Sequence, residues 1–478
     1  MAKMINILGK HRRCHIFLMA LALFVALAAG CSNHSSNPPT QTTLPLVIIS
    51  DVHFTPFYDT AIFNDLVHFP VEQWASIFQS SGITDLSSWG HETNYLLLIK
   101  VLDAAQKAAG DGHVLLFSGD ILAHKFPETF FALYGKEDEE ALHAFIYKTV
   151  VFFATQVRER SGSIPVVFAL GNTDAYAGDY KLVPGGAFLA DTADTFYNTF
   201  LLGGANHEEY FNTYPAGGYF VAEPPGAKVQ FICLSTAFFS RNRTDNNTGE
   251  ADNIAIEQLA WLERVLGEAD TKKKKVWLVM HIPPGADIFG TVETFMDPSG
   301  HISDAAGFWK EAYQERFLEI SSRYAHIIEA IFAGHTHMDE YRLLLDNNGE
   351  AYQTAIITPA VSPQYGNNPA FKVVVMREQN WELLDYRSVN CDLESAAPDF
   401  STYYVFSNAY FTEMPLQASL VDLFPKLAKD TACQQAYARF YYSGHNAADI
   451  IDDVNWPAYW CGIGKMDRTE YIECVNTY

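Results

Sequence analysis

Five short apolar runs in this chain end on residue types that bind metal ions or move protons. "PLVIIS" (45–50) leads to Asp51 and His53, and "HVLLFS" (113–118) leads to Asp120 and His124. "IPVVFAL" (164–170) leads to Asn172, "KVWLVM" (275–280) to His281, and "HIIEAIFAG" (326–334) to His335 and His337. Asp51, Asp120, Asn172, His53, His281, His335 and His337 supply two carboxylates, one amide and four imidazoles. That mixture suits two borderline divalent ions, zinc first and iron or manganese next, because imidazole favours these ions and a carboxylate can bridge them. Two such ions lower the pKa of a shared water and neutralise the oxygens of a phosphoryl transition state. With charges of +4 from the ions and −2 from the carboxylates, the centre stays about +2 and attracts phosphate. A departing alkoxide then needs a proton, and a histidine just beyond a ligand turn suits that task.

Such residues must be carried at strand ends. The five runs, with "VQFICLS" (229–235), are short, rich in β-branched residues and flanked by polar residues or glycine, as buried strands are. Between them lie helical patterns at 93–109, 256–269 and 308–324. Alternation of this kind makes a layered α/β domain, and ligands in such folds sit at the carboxyl ends of the strands. "YRLLLDNNGEAYQTAII" (341–357) predicts a hairpin turning at Asn347-Asn348-Gly349. "FKVVVMR" and "WELLDYRSV" add strands. After about residue 390 the texture turns to aromatic segments, "YYVFSNAYF" and "CQQAYARFYYSG", read as helices of a C-terminal extension over 391–478. Residues 55–92 form a long aromatic connection after the first ligand strand, either a lid or substrate wall or a packed insertion.

A lone GD, or a single histidine after a strand, carries little weight. The ordered set of five resembles the calcineurin-like metallophosphoesterase superfamily, and within it the acid sphingomyelinase-like phosphodiesterases. The narrower resemblance rests on "GDILAH", on "EQLAWL" followed by "HIPPG", on "AGHTHMDEY", and on "TPAVSPQYGNNPAFKV". It covers 45–390 well and the tail loosely. It implies a four-layer α/β/β/α sandwich with two mixed sheets, plus a mostly helical extension. It implies one metal on Asp51, His53, Asp120 and His337, and a second on Asp120, Asn172, His281 and His335, with Asp120 bridging.

One motif departs from the superfamily. "LGNTDAY" (170–176) has Thr173 where many relatives carry a histidine after Gly-Asn. Threonine is no acid at neutral pH, so the proton donor is expected at His124, which matches a catalytic histidine of the narrower family. Thr173 is left to bind a phosphate oxygen or water, and Asp174 to orient the turn. Tyr365 and Asn368 fall in the segment that lines the family's pocket and are further candidates for substrate contact. Asp339 is expected either to orient a ligand histidine or to lie on the surface.

The bulk properties are compatible with this. Of 478 residues 49% are apolar and 18% charged, enough for a large core. A net charge of −24 argues against nucleic acid as a partner. Even "TKKKK" (271–275) reads as a solvated turn. Lys3, Lys10, Arg12 and Arg13 precede an apolar run, Ile16 to Ala29, that is short for a membrane span. It ends in "LAAGC", which resembles a bacterial lipobox and implies cleavage before Cys31 and lipidation there. Residues 1–30 are then a signal peptide and 31–44 a polar tether, before a catalytic domain over 45–390. Ser32 points towards the outer membrane of a bacterial envelope. Cys233 is expected in the core. Cys391, Cys433, Cys461 and Cys474 allow three pairings in an oxidising compartment. The expected activity is hydrolysis of phosphodiester or phosphoanhydride bonds in small molecules of nucleotide or phosphocholine type. Polyphosphate hydrolysis, and a surface lipoprotein that binds a phosphorylated ligand without turnover, are the rivals.

Overall fold

Among the described residues, hydrophobic alternation and short β-branched runs give twelve strands in two six-stranded sheets. The computed structural model describes residues 42–244, 249–445 and 450–478, so the signal segment, Cys31 and nearly all of the tether lie outside the described residues. The first sheet has the order β12 (Phe400–Val405), β11 (Leu383–Cys391), β10 (Ala370–Arg377), β1 (Thr43–Ile49), β2 (Leu115–Phe117) and β3 (Val166–Phe168). β1, β2 and β3 are parallel, while β10 to β12 run as an antiparallel meander on the other side of β1. The second sheet has the order β4 (Phe220–Ala222), β5 (Val229–Cys233), β6 (Lys275–Val279), β7 (Ile328–Ala333), β9 (Ala351–Ile357) and β8 (Glu340–Leu345). Its central strands are parallel, and β8 and β9 form the expected hairpin.

The two sheets face each other across an aromatic layer. Phe168 of β3 meets Phe220 of β4 at 4.9 Å between ring centroids, and Trp277 of β6 meets Trp381 at 5.6 Å. Both tryptophans are fully buried. Helices cover the outer faces. Tyr95–Ala109 packs on β1 and β10, and Glu250–Thr271 packs on β6. The first of these helices begins at Asn94, whose side chain accepts the Leu97 N–H as an N-cap. The architecture is an α/β/β/α sandwich with a helical C-terminal region.

Several elements differ from the sequence reading, among them the helices Phe126–Tyr134, Ala187–Phe196 and His207–Gly217, which it did not contain. "YYVFSNAYF" is not a helix: β12 extends the first sheet there, and only the single turn Phe406–Ala409 is helical. The edge of β11 takes up aromatic residues whose spacing fits helix and strand alike. The 23-residue helix Glu139–Ser161 was missed, because it is buried along much of its length and lacks a clean amphipathic period. β4 was missed because it is only three residues long. The bulk of 55–92 is packed structure, with Phe57, Phe63, Trp74 and Phe78 buried against the helix Glu139–Ser161. Cys233 is buried as expected, Cys461 pairs with Cys474, and Cys391 and Cys433 are free thiols. Among the described residues no helix is long and apolar enough to cross a membrane.

Candidate metal centre and proton donor

All five ligand-bearing strands point their carboxyl ends at one place, and the turns that follow are strained. Asp51, His53, Asp120, His335 and His337 all have positive φ, between 45° and 74°. They are five of the twelve non-glycine residues in that region among the described residues. Positive φ in residues with a Cβ is uncommon, and such strain gathers where function over-determines the geometry. Two glycines make the crowding possible. A Cβ on Gly171 would lie 1.9 Å from Asp120 Oδ1, and one on Gly334 would lie 1.9 Å from Ser50 Oγ. The sequences LGN and AGH therefore need glycine before the ligand residue.

The side chains are held by partners outside the centre. His53 Nδ1 bonds to the Leu122 carbonyl at 3.0 Å, and His281 Nδ1 to the Ser118 carbonyl at 2.7 Å. A carbonyl only accepts, so each Nδ1 carries the hydrogen and each Nε2 turns a lone pair inward. Ser50 Oγ donates to Asp51 Oδ2, and the His335 N–H donates to the same carboxylate at 3.0 Å. Thr173 donates twice to Asp120 Oδ1, from its N–H and its hydroxyl, both at 2.9 Å. This leaves Asp120 Oδ2 for the centre, together with Asp51 Oδ1, which the His335 N–H also reaches at 3.1 Å. Asp174 accepts the N–H groups of Ile121 and Gly171 at 2.8 Å and of Asp120 at 3.1 Å, and so orients both turns.

With the rings in the neutral form that a metal ligand must take, the inward atoms converge as acceptors. Asp120 Oδ2 lies 3.4 Å from His53 Nε2 and 3.0 Å from His281 Nε2. His281 Nε2 also lies 3.1 Å from Asn172 Oδ1 and 3.3 Å from His335 Nδ1. His337 Nε2 stands 3.0 Å from His53 Nε2 and 3.6 Å from Asp51 Oδ1. Acceptors facing acceptors in a buried space repel unless a cation sits among them. Among the described residues the donors fall into three overlapping groups: two share Asp120, and the third joins His53 and His337 with the neighbouring His124. This nitrogen-rich, carboxylate-containing set fits two divalent metal ions. The titration of the same groups points the same way. Burial opposes a charge on His53 and His281, yet the carboxylates of Glu92, Asp120 and Asp51 raise them to about 10 and about 9. Burial and the neighbouring histidines hold His335 and His337 down to about 3. The site calls for positive charge and takes it at chosen positions.

His124 stands beside this set. Its ring stacks on His53, 4.2 Å between centroids, and its Nδ1 bonds to Glu92 Oε1 at 2.7 Å. Ser362 donates to the other oxygen of Glu92 at 2.8 Å. Burial would raise the Glu92 carboxyl, but the charge on His53 and the bond from His124 hold it down to about 2. Glu92 closes the 55–92 connection, where the Thr93 N–H reaches the His53 carbonyl at 3.2 Å. Nothing in "GHETN" separates this glutamate from its solvent-facing neighbours, so the sequence reading did not find it.

A cavity of about 350 Å³ opens over the centre, lined by Asp120, His124, Asn172, Tyr180, His335 and His337, among others. Its walls are largely apolar, with Phe289, Phe308, Tyr365 and Ile450. Tyr365 sets its ring edge to His337 at 4.7 Å and to His124 at 5.8 Å. Of the three residues expected to meet substrate, Tyr365 lines the cavity. Thr173 is buried with its hydroxyl on Asp120. Asn368 is buried too, its amide donating to the Ser443 carbonyl and its oxygen accepting the Leu393 N–H. Asp339 is buried, paired with Lys372 at 2.8 Å and accepting from Tyr404 at 2.9 Å, so it anchors the turn after His337 and not a ligand imidazole. Tyr180, at φ 58°, is a cavity residue that the sequence reading passed over.

The calcineurin-like phosphoesterase profile matches residues 44–339, which contain every one of these donors. The chain belongs to the calcineurin-like phosphoesterase family. It is similar to the cyclic GMP-AMP phosphodiesterase SMPDL3A of Mus musculus, 24% identical over 401 residues that cover 81% of this chain and 82% of that protein. It is also similar to the acid sphingomyelinase-like phosphodiesterase 3b of Homo sapiens, 22% identical over 446 residues, 89% of each chain. A third relative is the sphingomyelinase phosphodiesterase D of Dictyostelium discoideum, 25% identical over 367 residues, 72% of this chain and 74% of that one. Family, fold and donor set together make this chain a metal-dependent phosphodiester hydrolase.

Proposed function

We propose that the chain hydrolyses small, water-borne phosphodiesters of nucleotide type, with His124 as the proton donor to the leaving oxygen. The observation that carries this reading is the His124–Glu92 pair standing against the cluster of inward-facing acceptors. Asp51, His53, Asp120 and His337 would hold one ion, and Asp120, Asn172, His281 and His335 the other. Zinc is the ion the imidazole-rich set favours. Bound there, two such ions supply Lewis acidity and an activated water.

The chain's own residues do the rest. Asp120 keeps one oxygen for the centre because Thr173 holds the other. Glu92 accepts the His124 Nδ1–H, so that when the ring is charged its Nε2–H is the one turned to the cavity and given to the leaving oxygen. Ser362 keeps Glu92 from turning away. The stack of His124 on His53 sets the imidazole plane beside the ligand cluster. Phe289, Phe308, Tyr365 and Ile450 exclude water from one side and offer a base-sized group flat apolar surface. A cavity of about 350 Å³ receives a nucleotide-sized group and is small for a two-tailed lipid. The similarity to the Mus musculus relative, a cyclic GMP-AMP phosphodiesterase, supports the nucleotide reading over the phosphocholine one.

We further propose that Cys31 is lipidated after removal of residues 1–30, which places the chain on a bacterial envelope membrane. The lipobox-like "LAAGC" supports this. The activity is tested by metal content together with hydrolysis of bis(p-nitrophenyl) phosphate, p-nitrophenyl phosphate, cyclic dinucleotides, sphingomyelin and polyphosphate. Two metals per chain and a preference for nucleotide diesters support the proposal. Turnover of polyphosphate or sphingomyelin alone rejects the nucleotide reading, and metal binding without turnover of any of them rejects catalysis by this centre.

A further inference from the structure

One stretch of the cavity wall carries charge that neither the ligand cluster nor His124 uses. Asp287, Glu340 and Arg342 line it together. Glu340 and Arg342 are both buried, and as alternate residues of β8 they share a face of that strand. The guanidinium is fully engaged. Arg342 Nη1 donates to the Ala286 carbonyl at 3.2 Å and to the Gly462 carbonyl at 2.9 Å, and Nη2 lies 3.3 Å from Glu340 Oε2. Neither Glu340 oxygen takes a hydrogen bond. Asp287 is half-buried and caps the helix Ile288–Phe295, its Oδ1 accepting the Gly290 N–H at 2.8 Å. Its Oδ2 accepts no hydrogen bond among the described residues, and Gly290 keeps the space beside Oδ2 clear, because a Cβ there would fill it. Burial pushes the Asp287 carboxyl up, against the pull of the Gly290 N–H and of Arg342. Acceptors outnumber donors on this stretch, which leaves room for a ligand that donates. The oxygen is also held still. The Asp287 N–H donates to the Ala306 carbonyl at 2.9 Å, and its carbonyl accepts the Thr291 N–H at 3.0 Å and hydroxyl at 2.6 Å.

Phe308 joins this stretch to the ligand cluster. Its ring meets His335 edge-on at 5.1 Å and lies 5.9 Å from the Arg342 guanidinium. His124, the donor to the leaving oxygen, stacks on His53 instead. The leaving group therefore belongs on the His124 side, and the retained group of the diester on the side of Phe308 and Asp287. A flat ring beside a fixed acceptor oxygen suits a nucleobase, which stacks on the one and offers an exocyclic amino group to the other. A quaternary ammonium has no N–H to give. We propose that Asp287 Oδ2 accepts a hydrogen bond from the exocyclic amino group of the retained nucleobase, so that the cavity selects adenine, guanine or cytosine over uracil and hypoxanthine. This rests on the nucleotide reading above. A keto oxygen in the same place would set acceptor against acceptor and leave the carboxylate unpaired.

The test uses the metal-loaded full chain. kcat/KM is measured on the p-nitrophenyl phosphodiesters of cytidine, uridine, adenosine and inosine, with bis(p-nitrophenyl) phosphate as the reference that has no base. The native chain should prefer cytidine to uridine and adenosine to inosine by about 10- to 100-fold. Asp287→Asn keeps the cap on Gly290, since asparagine caps a helix as well as aspartate does. Its Nδ2 then takes the place of Oδ2 and donates, so the preference should vanish or turn toward uridine and inosine. A merely structural Asp287 would leave that ratio where it was. Nucleotide esters that outrun the reference but show no preference for the amino base, or keep it in Asp287→Asn, overturn the proposal while the nucleotide reading stands. Nucleotide esters no faster than the reference overturn the nucleotide reading and this proposal together.

Discussion

The cavity over the centre has two walls of different origin. One is the ligand wall, five turns at the carboxyl ends of parallel strands, each positioned by its own strand and held by near neighbours. The other is the acid wall, where Glu92, His124 and the pair Ser362 and Tyr365 come from three separate segments and meet only in the folded chain. Behind the acid wall the connection 55–92 and the C-terminal extension are pinned together. Trp89 stacks on His445 at 3.8 Å, and Gly90 donates to the Pro363 carbonyl. On the roles proposed above, binding of metal would depend on the local wall, and delivery of the proton on the assembled one. A change in either should therefore leave a distinguishable signature.

The largest expected effect lies in the ligand wall. Asp120→Asn removes the shared carboxylate, and a loss of several kcal/mol of transition-state stabilisation is about 10³-fold or more in kcat/KM. Metal analysis of the purified variant should show fewer ions per chain than the native protein. Full metal content with full activity would dissolve the distinction between the walls.

Glu92→Gln comes next. It keeps the shape of the side chain but removes the carboxylate that accepts the His124 Nδ1–H. A loss of about 10- to 100-fold is expected, the usual range for a partner that orients a working histidine. Metal content should stay native. A loss of metal would place Glu92 on the ligand wall instead.

The smallest effect is expected from Thr173→Val. The backbone N–H still holds Asp120 Oδ1, and only the hydroxyl bond is lost. One hydrogen bond of about 1 kcal/mol corresponds to roughly fivefold. The loss should appear as weaker metal affinity in a competition titration. A rise in KM at saturating metal would return Thr173 to the substrate.

The two walls were also unequally legible in the sequence. Asp51, His53, Asp120, Asn172, His281, His335 and His337 stand within a few residues of apolar runs, so order along the chain forecast their meeting in space. The glycines of LGN and AGH are part of the same local signal, because each makes room for a ligand next to it. Glu92 had no such marker. It lies 32 residues from His124, and only the return of the 55–92 connection against His53 brings the two together. Asn368 was misplaced for a related reason. Ser443 of the tail, 75 residues on, takes up its amide. In the fold, strands with short β-branched runs were readable, whereas β12 was not, since an edge strand rich in tyrosine and phenylalanine shares its composition with a helix packed on an aromatic core.

The most direct test of the acid wall is the dependence of kcat on leaving-group pKa across a series of aryl and alkyl phosphodiesters, in the native chain and in His124→Ala with metal content matched. If His124 gives its proton to the leaving oxygen, the native dependence is shallow and the variant's is steep, with the loss growing from little on p-nitrophenyl esters to about 10²- to 10⁴-fold on alkyl esters. An equal loss on every ester, with the slope unchanged, would contradict the assignment of the proton donor.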